Sequence, residues 1–425
     1  MRKMKDSGVK WIGSIPKNWT IQRVKHAFVR KNEKAMQDEP VVLSLARSGV
    51  KIRDISSNEG QIAESYYNYN PVEEGDLLLN PMDLYSGANC SISKVNGVIS
   101  PAYINLKNKE GYNSRFYDYY FKVQYWMMAF FAHGKGVSFD NRWTLSIETL
   151  MNYPIVVLGY DEQCKRADYL DNKCKKIDDL IEKQQTAIEK LTEYKLSVIT
   201  ETVTKGLDSD VEYKDNGIRF IGYIPQNWNV SKLKYMSLEI GDGIHGTPEY
   251  DPEGEIYFVN GNNIGAETLV FKADTNTINE TEFKKYKKPL LNDNTILMTL
   301  NGATYGKTSF YSGEEILLGK SAGYITLKPD ENKEFVRYYL QSTVAKLIMD
   351  YSLCGSTIAN VSLRTLNDFP IPHPPKAEQL AIVRYLDKHT SRIDKSINCR
   401  QSIVERLIEY KKSLIYEVVT GKKEV

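Results

Sequence analysis

The sequence contains few cysteines, no long apolar run and almost no net charge. Only 5 of its 425 residues are cysteines and none forms a CxxC pair, which disfavours both a disulfide framework and a zinc site. No apolar stretch approaches the roughly 18 residues that a membrane span needs. The basic N-terminus is not followed by the apolar core of a signal peptide. We therefore expect a cytoplasmic protein.

The charge balance excludes a surface that is strongly basic throughout. Lys and Arg number 56, against 54 Asp and Glu. Residues 1–157 carry 20 basic and 15 acidic side chains, whereas residues 207–373 carry 16 and 22. Any nucleic-acid contact of the second region must therefore use a local basic face, for which the sequence offers Lys284, Lys285, Lys287, Lys288, Lys307 and Lys320.

No complete catalytic motif is found in the sequence. Gly241 to Gly246 has the GxGxxG spacing, but two prolines follow where a dinucleotide-binding fold needs a helix. Gly302 to Thr308 is one residue too short for a phosphate-binding P-loop. Asn80-Pro81-Met82-Asp83 lacks the second proline and the aromatic residue of the amino-methyltransferase tetrapeptide, and the histidines lack metal-ligand spacing. We predict a non-catalytic chain without a cofactor or a metal.

An internal repeat organises the chain. The segment from Asp6 to Lys25, DSGVKWIGSIPKNWTIQRVK, returns from Asp215 to Lys234 as DNGIRFIGYIPQNWNVSKLK. A second pair of similar segments begins at Pro154 and Pro370, and each ends in a long charged helix pattern with apolar residues at a 3.5-residue period. Such a period is typical of a coiled-coil seam. Each helix needs a partner, and the simplest partner is the other copy.

The regions between the repeated segments differ from each other and have short β-branched and aromatic runs. One helical stretch is predicted near the end of each region, over residues 114–134 and 333–352. We therefore predict an α+β chain of two similar α/β domains separated by two long antiparallel coiled-coil helices, with an internal pseudo-two-fold repeat. The predicted limits are 1–157 and 207–373 for the domains, and 158–206 and 374–425 for the helices.

Polar and aromatic residues between the predicted strands are candidates for contacts with DNA. Arg and Lys can bind guanine O6 and N7, and Asn can bind adenine N6 and N7. An exposed turn residue is an equally good interpretation of each one alone, so only the set carries weight. The candidates in the first domain are Arg47, Lys51, Arg53, Asn80, Tyr85, Asn89, Lys135 and Arg142. Those in the second are His245, Thr247, Asn260, Asn262, Asn263, Asn301, Tyr305, Lys307 and Lys320.

The doubled motif order resembles the specificity subunit (HsdS) of type I restriction-modification systems. The resemblance rests on Gly13-x-Ile15-Pro16-x-Asn18-Trp19 with its second copy from Gly222 to Trp228, and on the Pro-Ile and Glu-Gln pairs before the long helices. It spans essentially the whole chain. One departure is Val156-Val157-Leu158-Gly159-Tyr160, which replaces the family's proline-rich turn.

The resemblance implies a protein that reads DNA for other subunits. Two target recognition domains would each read half of a bipartite asymmetric site on double-stranded DNA. The implied partners are the adenine-methylating modification subunit (HsdM), in two copies, and the restriction subunit (HsdR). Two other hypotheses stay open: a coiled-coil scaffold with two domains that bind ligands other than DNA, and a single-chain enzyme that modifies DNA.

Overall fold

The protein consists of two compact units. The structure, a computed structural model, describes residues 3–55, 63–82, 84–85, 89–136, 143–353 and 359–425. The first unit comprises Met1–Gln184 and Ser402–Val425, and the second comprises Gln185–Gln401. Each unit thus combines one variable region with parts of both long helices. The domain limits given above, which set the helices apart, stay a prediction.

The described residues between 3 and 205, up to the end of the first long helix, contain short strands and four α-helices. The strands are β1 (Met4–Asp6), β2 (Ser14–Pro16), β3 (Thr20–Arg23), β4 (Phe28–Lys31), β5 (Leu43–Ala46), β6 (Gly49–Ile52), β7 (Asn70–Val72), β8 (Leu77–Leu79), β9 (Cys90–Ile92), β10 (Gly97–Ile99), β11 (Ile104–Asn108) and β12 (Pro154–Val157). The helices are α1 (Val24–Ala27), α2 (Ser114–Trp126), α3 (Ile147–Met151) and α4 (Tyr160–Lys205).

The remainder of the chain repeats part of this order of elements. Its strands are β13 (Tyr213–Asp215), β14 (Tyr223–Pro225), β15 (Asn229–Lys232), β16 (Ser237–Asp242), β17 (Ile256–Val259), β18 (Thr277–Ile278), β19 (Thr295–Thr299), β20 (Thr308–Phe310), β21 (Ile316–Leu318), β22 (Ala322–Leu327) and β23 (Pro370–His373). Its helices are α5 (Leu233–Met236), α6 (Glu280–Phe283), α7 (Lys333–Leu340), α8 (Thr343–Ser352), α9 (Leu363–Asn367) and α10 (Lys376–Val419).

Both units contain the same four-stranded antiparallel sheet. Its order is β4-β11-β8-β9 in the first unit and β16-β22-β19-β20 in the second. Two further pairs also recur: β1-β2 corresponds to β13-β14, and β3-β12 corresponds to β15-β23. The predicted α+β class and internal repeat are confirmed.

The units differ in the strands outside this shared framework. In the first unit β5 and β6 form a hairpin, and β7 pairs with β10. In the second unit β17 lies between β18, to which it is antiparallel, and β21, to which it is parallel. The variable part of each unit is thus a different addition to the same sheet.

The repeated Pro-x-Asn-Trp segments pack against the ends of the long helices. Trp19 and Trp228 are fully buried, and Trp19 meets Phe116 with the same edge-to-face geometry and 6.5 Å centroid distance that Trp228 has with Phe335. Gly421, with φ +74°, follows α10 and lies against Trp19, where a Cβ would come within 3.0 Å of the indole. The tryptophan therefore requires a small residue at this helix end.

The two long helices pack side by side, as predicted. In the first unit Leu170 of α4 and Leu414 of α10 are buried, and in the second unit Ile199 of α4 and Leu386 of α10 are buried. The start of α4 thus shares a unit with the end of α10, and the end of α4 shares a unit with the start of α10. This arrangement confirms the antiparallel pair.

Capping residues explain where the shorter predicted helices end. The stretch predicted over residues 333–352 is two helices, because the Ser342 hydroxyl accepts a hydrogen bond from Ala345 N at 3.1 Å and starts α8 anew. The stretch predicted over 114–134 ends at Trp126, and Met128 two residues later has a left-handed φ of 57°.

The Glu-Gln pairs of the repeat fix the entry to the long helices. Gln163 is buried, and its amide donates to Leu158 O at 2.8 Å and accepts from Asn113 N at 2.8 Å. Gln379 is buried in the same way and donates to Pro374 O at 2.9 Å. The first helix therefore begins correctly without the proline-rich turn that the second one has.

Candidate nucleic-acid interface

In the second unit, hydrogen bonds join several loops at one end of the four-stranded sheet. Ile244 N donates to Leu318 O at 2.8 Å, and Gly319 N donates to Val259 O at 2.8 Å. Leu300 links two more loops, because its N–H donates to Ser321 O at 2.9 Å and its carbonyl accepts from Val361 N at 2.8 Å. These bonds bring together most of the second set of predicted DNA contacts: His245, Thr247, Asn260, Asn262, Asn263, Asn301, Lys307 and Lys320.

Two of these asparagines build the loop that carries a third. Asn263 is 8% exposed, and its amide donates to Val270 O at 3.1 Å and accepts from Asn260 N at 3.0 Å. The Asn260 side chain accepts from the Ser321 hydroxyl at 3.1 Å. Asn262, between them, is exposed. Asn262 is therefore better placed than its neighbours to reach a base edge.

The histidine of this set is oriented by a carboxylate that the sequence analysis did not single out. His245 Nε2 lies 2.9 Å from Asp242 Oδ2, and the imidazole is exposed. Asp242 also lines a cleft of about 220 Å³, together with Glu239 and Tyr324, and the Tyr324 hydroxyl donates to Glu239 at 2.8 Å. Burial raises the pKa of this tyrosine, and the neighbouring carboxylate raises it further. No sequence pattern signals this pair, because Asp242 ends β16 and His245 lies in the loop after it, where i, i+3 spacing does not bring side chains together as it does on a helix.

Tyr305 faces away from the loop group. Its hydroxyl donates to the Asp350 carboxylate on α8, and Lys346 Nζ lies 3.3 Å from its ring centroid. Its proposed contact with DNA stays a prediction, and in this structure the side chain serves the packing of α8.

Acidic neighbours neutralise half of the predicted basic face. Lys284 pairs with Glu280 at 2.7 Å, Lys285 with Glu282, and Lys288 with Glu315 at 3.4 Å. The hydrogen bond from Lys284 lowers the pKa of Glu280. Within the described part of the chain, Lys287, Lys307 and Lys320 are exposed and form no ion pair. Of these three, Lys307 and Lys320 belong to the loops that meet at this end of the sheet.

In the first unit, the β5–β6 turn packs on the loop between β8 and β9. The Asn89 amide donates to Ala46 O, and Asn80 N donates to Asn89 O at 2.8 Å. Asn80 Oδ1 accepts from Met82 N at 3.0 Å, so both asparagines shape the loop. Three basic candidates lie on or beside this hairpin, with the first two exposed and the third half-buried: Arg47, Lys51 and Arg53.

A second group of loops in the first unit carries the remaining candidates. Leu84 N donates to Trp143 O at 3.1 Å, and Lys135 pairs with Thr144 through two backbone hydrogen bonds of 2.8 and 2.9 Å. Tyr85 is 64% exposed, and its ring lies 6.3 Å from Phe131. An exposed aromatic face suits contacts with a nucleotide base. Arg142 lies outside the described residues.

The described residues hold no cluster of three His, Cys, Asp or Glu side chains that could bind a metal ion. Across the same residues, no helix has both the length and the apolar character to cross a bilayer. What the described loops offer is amide, hydroxyl, imidazole and ammonium groups on two rigid frameworks, which suits recognition of a polar surface.

Comparisons with known proteins agree with this interpretation. Residues 225–403 match the family model described as the type I restriction modification DNA specificity domain. One solved structure is described as showing the basis of complex assembly and conformational transition of the type I R-M system. A chain of that structure is similar to this one with a TM-score of 0.67 at 13% identity, and the match covers 95% of this chain and 98% of that chain.

Two further solved structures cover nearly the whole chain at lower similarity. The HsdS subunit from Thermoanaerobacter tengcongensis has a TM-score of 0.48 at 13% identity, covering 98% of this chain and 100% of that one. The type I restriction-modification S subunit from M. genitalium has a TM-score of 0.39 at 14% identity, covering 94% and 96%. For residues 225–403 the family model agrees with the resemblance drawn from the repeated motifs: this part of the chain is similar to the type I restriction modification DNA specificity domain, and the first of the three structures shows that the same fold extends over nearly the whole chain.

Proposed function

We propose that the chain reads a bipartite asymmetric DNA site, with one half-site for each unit. The observation that carries this proposal is the repeat itself: the same four-stranded sheet recurs in both units, while the loops at its end differ in sequence and in strand additions. Equal frameworks with unequal loops suit the reading of two unequal sequences. Sequence is read by contacts to base edges, for which each loop group offers its own donors and acceptors.

The base contacts are proposed for the exposed members of the two loop groups. In the second unit these are His245, Thr247, Asn262, Lys307 and Lys320, and in the first Arg47, Lys51, Tyr85 and Lys135. The remaining candidates among the described residues stay in the proposal as residues of the same loops: Arg53, Asn80, Asn89, Asn260, Asn263, Asn301 and Tyr305. Arg142, outside the described residues, stays a prediction from the sequence.

The chain is further proposed to act as the docking subunit of a type I complex in the cytoplasm. Its partners would be two adenine-methylating modification subunits (HsdM) and a restriction subunit (HsdR). The pseudo-two-fold repeat supports this, because two related surfaces suit two identical partners. The solved relative with the higher TM-score comes from work on the assembly of such a complex.

The test is methylome sequencing of a methylation-free host that expresses this chain with its neighbouring modification subunit. We expect one bipartite motif with methyladenine in both halves. The matched control is the same host with the modification subunit alone, in which the motif should be absent. No new methylation despite a stable complex would favour the scaffold that does not bind DNA.

A further inference from the structure

Two cations of the first unit share one neutral acceptor. Arg23 Nη1 and Lys25 Nζ both donate to Asn152 Oδ1, at 3.1 and 2.9 Å. Lys109 Nζ lies beside them and donates to Lys25 O at 2.9 Å. All four side chains are exposed. Arg23, Lys25 and Lys109 are referred to below as the cationic cluster.

The second unit contains the same arrangement with a carboxylate at its centre. Lys232 and Lys234 occupy the positions of Arg23 and Lys25 in the repeat, and both Nζ atoms lie 3.0 Å from Asp368 Oδ1. Hydrogen bonds from these two lysines lower the pKa of Asp368. In the second unit, therefore, the anion that pairs with these two cations is a side chain of the unit itself.

In the first unit, no described carboxylate lies within ion-pair distance of the cluster. The Asn152 amide accepts hydrogen bonds but carries no charge. Glu110 and Glu148 are exposed and close in sequence to Lys109 and Asn152, yet no acidic residue in the described part of the chain forms an ion pair with the cluster. Like charges held this close attract an anion from outside.

The cluster lies at the opposite end of the sheet from the candidate base contacts. Lys109 directly follows β11, and its N–H donates to Ala27 O at 2.8 Å. β8 runs antiparallel to β11, with Leu79 opposite Ile104, so Asn80 lies at the other end of β11. A strand of this length separates the two ends by about 15 Å. We therefore do not assign these cations to base recognition.

We propose that the cationic cluster binds a carboxylate of an acidic segment in a partner protein, and that the first unit alone offers this open site. The second unit already holds the corresponding carboxylate, Asp368, at hydrogen-bond distance from both lysines. The inference rests on the proposed function, under which the partner is the modification subunit. It adds that the two related docking surfaces are chemically unequal.

The test exchanges the central residue between the two units in the full-length chain. Asn152→Asp installs the carboxylate of the second unit with almost no change of shape, and Asp368→Asn is the matched control. Binding of the modification subunit is measured over a salt series. We expect Asn152→Asp to weaken binding about 10-fold at about 50 mM salt, with the difference shrinking at high salt because the attraction is screened. Lys25→Gln should weaken binding in the same direction, and Asp368→Asn should not weaken it.

Three outcomes would overturn the inference. If Asn152→Asp and Lys25→Gln bind the modification subunit as tightly as the wild type, and the wild-type complex is intact and methylates its motif, the inference is overturned but the proposed function is not. Lower affinity for DNA with unchanged affinity for the modification subunit would assign the cluster to a DNA phosphate instead. A wild-type chain that binds no modification subunit at all would overturn the proposed function and this inference with it.

Discussion

At the scale of single residues, the two copies of the repeat differ at one buried position, where a charged side chain in the first unit joins the start of α4 to the end of α10. Arg166 is fully buried on α4 and donates to Val418 O at 2.9 Å, in the last turn of α10, and to Lys423 O at 3.0 Å, just beyond that helix. Its guanidinium also lies 4.8 Å from the Trp19 ring centroid and pairs with Glu162 at 2.9 Å. The equivalent residue in the second copy is Ile382, also fully buried. One copy closes its helix end with hydrogen bonds and the other with apolar packing.

We predict that Arg166→Ile destabilises the first unit, although isoleucine is the native residue at the equivalent position. The substitution removes the guanidinium hydrogen bonds to the carbonyls of Val418 and Lys423 and the ion pair with Glu162, which costs about 2–4 kcal/mol. Urea unfolding would measure the loss. The matched control, Lys165→Gln, removes an exposed charge from the same turn and should change stability by less than about 0.5 kcal/mol. Equal stability of the two variants would contradict the role given to Arg166.

A second residue-scale prediction concerns pH. His373 Nε2 lies 3.0 Å from Glu331 Oε2, and this hydrogen bond raises the pKa of the imidazole above its usual 6.5. A raised folded-state pKa contributes stability that is fully present below about 6.5 and is lost as pH rises through the folded value. The second unit should therefore unfold at lower urea concentration at pH 8 than at pH 6. His373→Gln should remove most of that difference, whereas replacement of the exposed His26 by Gln should leave it in place.

At the scale of elements, two symmetric ion pairs mark the register of the long helices. Asp178 of α4 pairs with Lys411 of α10 at 2.6 Å in the first unit. In the second unit Lys195 of α4 pairs with Asp394 of α10 at 2.7 Å. Asp178 and Asp394 are equivalent in the repeat, as are Lys195 and Lys411. Each helix thus supplies one acid and one base, which only an antiparallel pair at this register can satisfy.

Charge reversal should show this coupling. Lys195→Asp and Asp394→Lys should each destabilise the second unit by about 1 kcal/mol, because each places two like charges side by side. The double variant should recover to within about 0.5 kcal/mol of the wild type, as urea unfolding would show. Additive losses in the double variant would mean that the pair does not contribute to helix pairing. The same exchange at Asp178 and Lys411 provides the comparison in the first unit.

At the scale of the whole molecule, the repeat predicts modular recognition. Replacing residues 1–157 by the corresponding region of another specificity subunit should change one half of the methylated motif and leave the other half intact. The physical reason is that the loops of the second unit are held by hydrogen bonds within that unit. Methylome sequencing of the exchanged protein provides the measurement. The reciprocal exchange of residues 207–373 is the control, and a change in both halves after either exchange would contradict modular reading.

Much of the framework could be predicted from the sequence because periodic patterns report local structure. The 3.5-residue apolar period correctly predicts the long helices, and the doubled motifs correctly predict two units of the same fold. The break between α7 and α8 was not predicted, since the apolar pattern continues through Ser342 and the capping hydroxyl decides the boundary. Capping depends on one side chain, whereas the pattern averages over many.

The candidate interface was also only partly predictable: the sequence pattern indicates which residues lie between strands, but packing determines which of them are exposed. The sequence identified polar residues between strands, but it could not distinguish Asn262, which is exposed, from Asn263, whose amide is used inside its own loop. The sequence also offered six lysines as one basic face, of which Lys284, Lys285 and Lys288 are paired with acids. Such distinctions depend on neighbours that are distant in the chain.

The sequence by itself determined the repeat, the fold class and the pairing of the long helices, because each of these is encoded in spacing along the chain. Only the tertiary structure decided which polar side chains are exposed and which form hydrogen bonds or ion pairs within the protein. The contrast between Asn152 and Asp368 belongs to this second kind. Both residues occupy equivalent positions in the repeat. The difference in charge between them matters only because the fold brings two cations, from a strand and a helix distant in the chain, next to each of them.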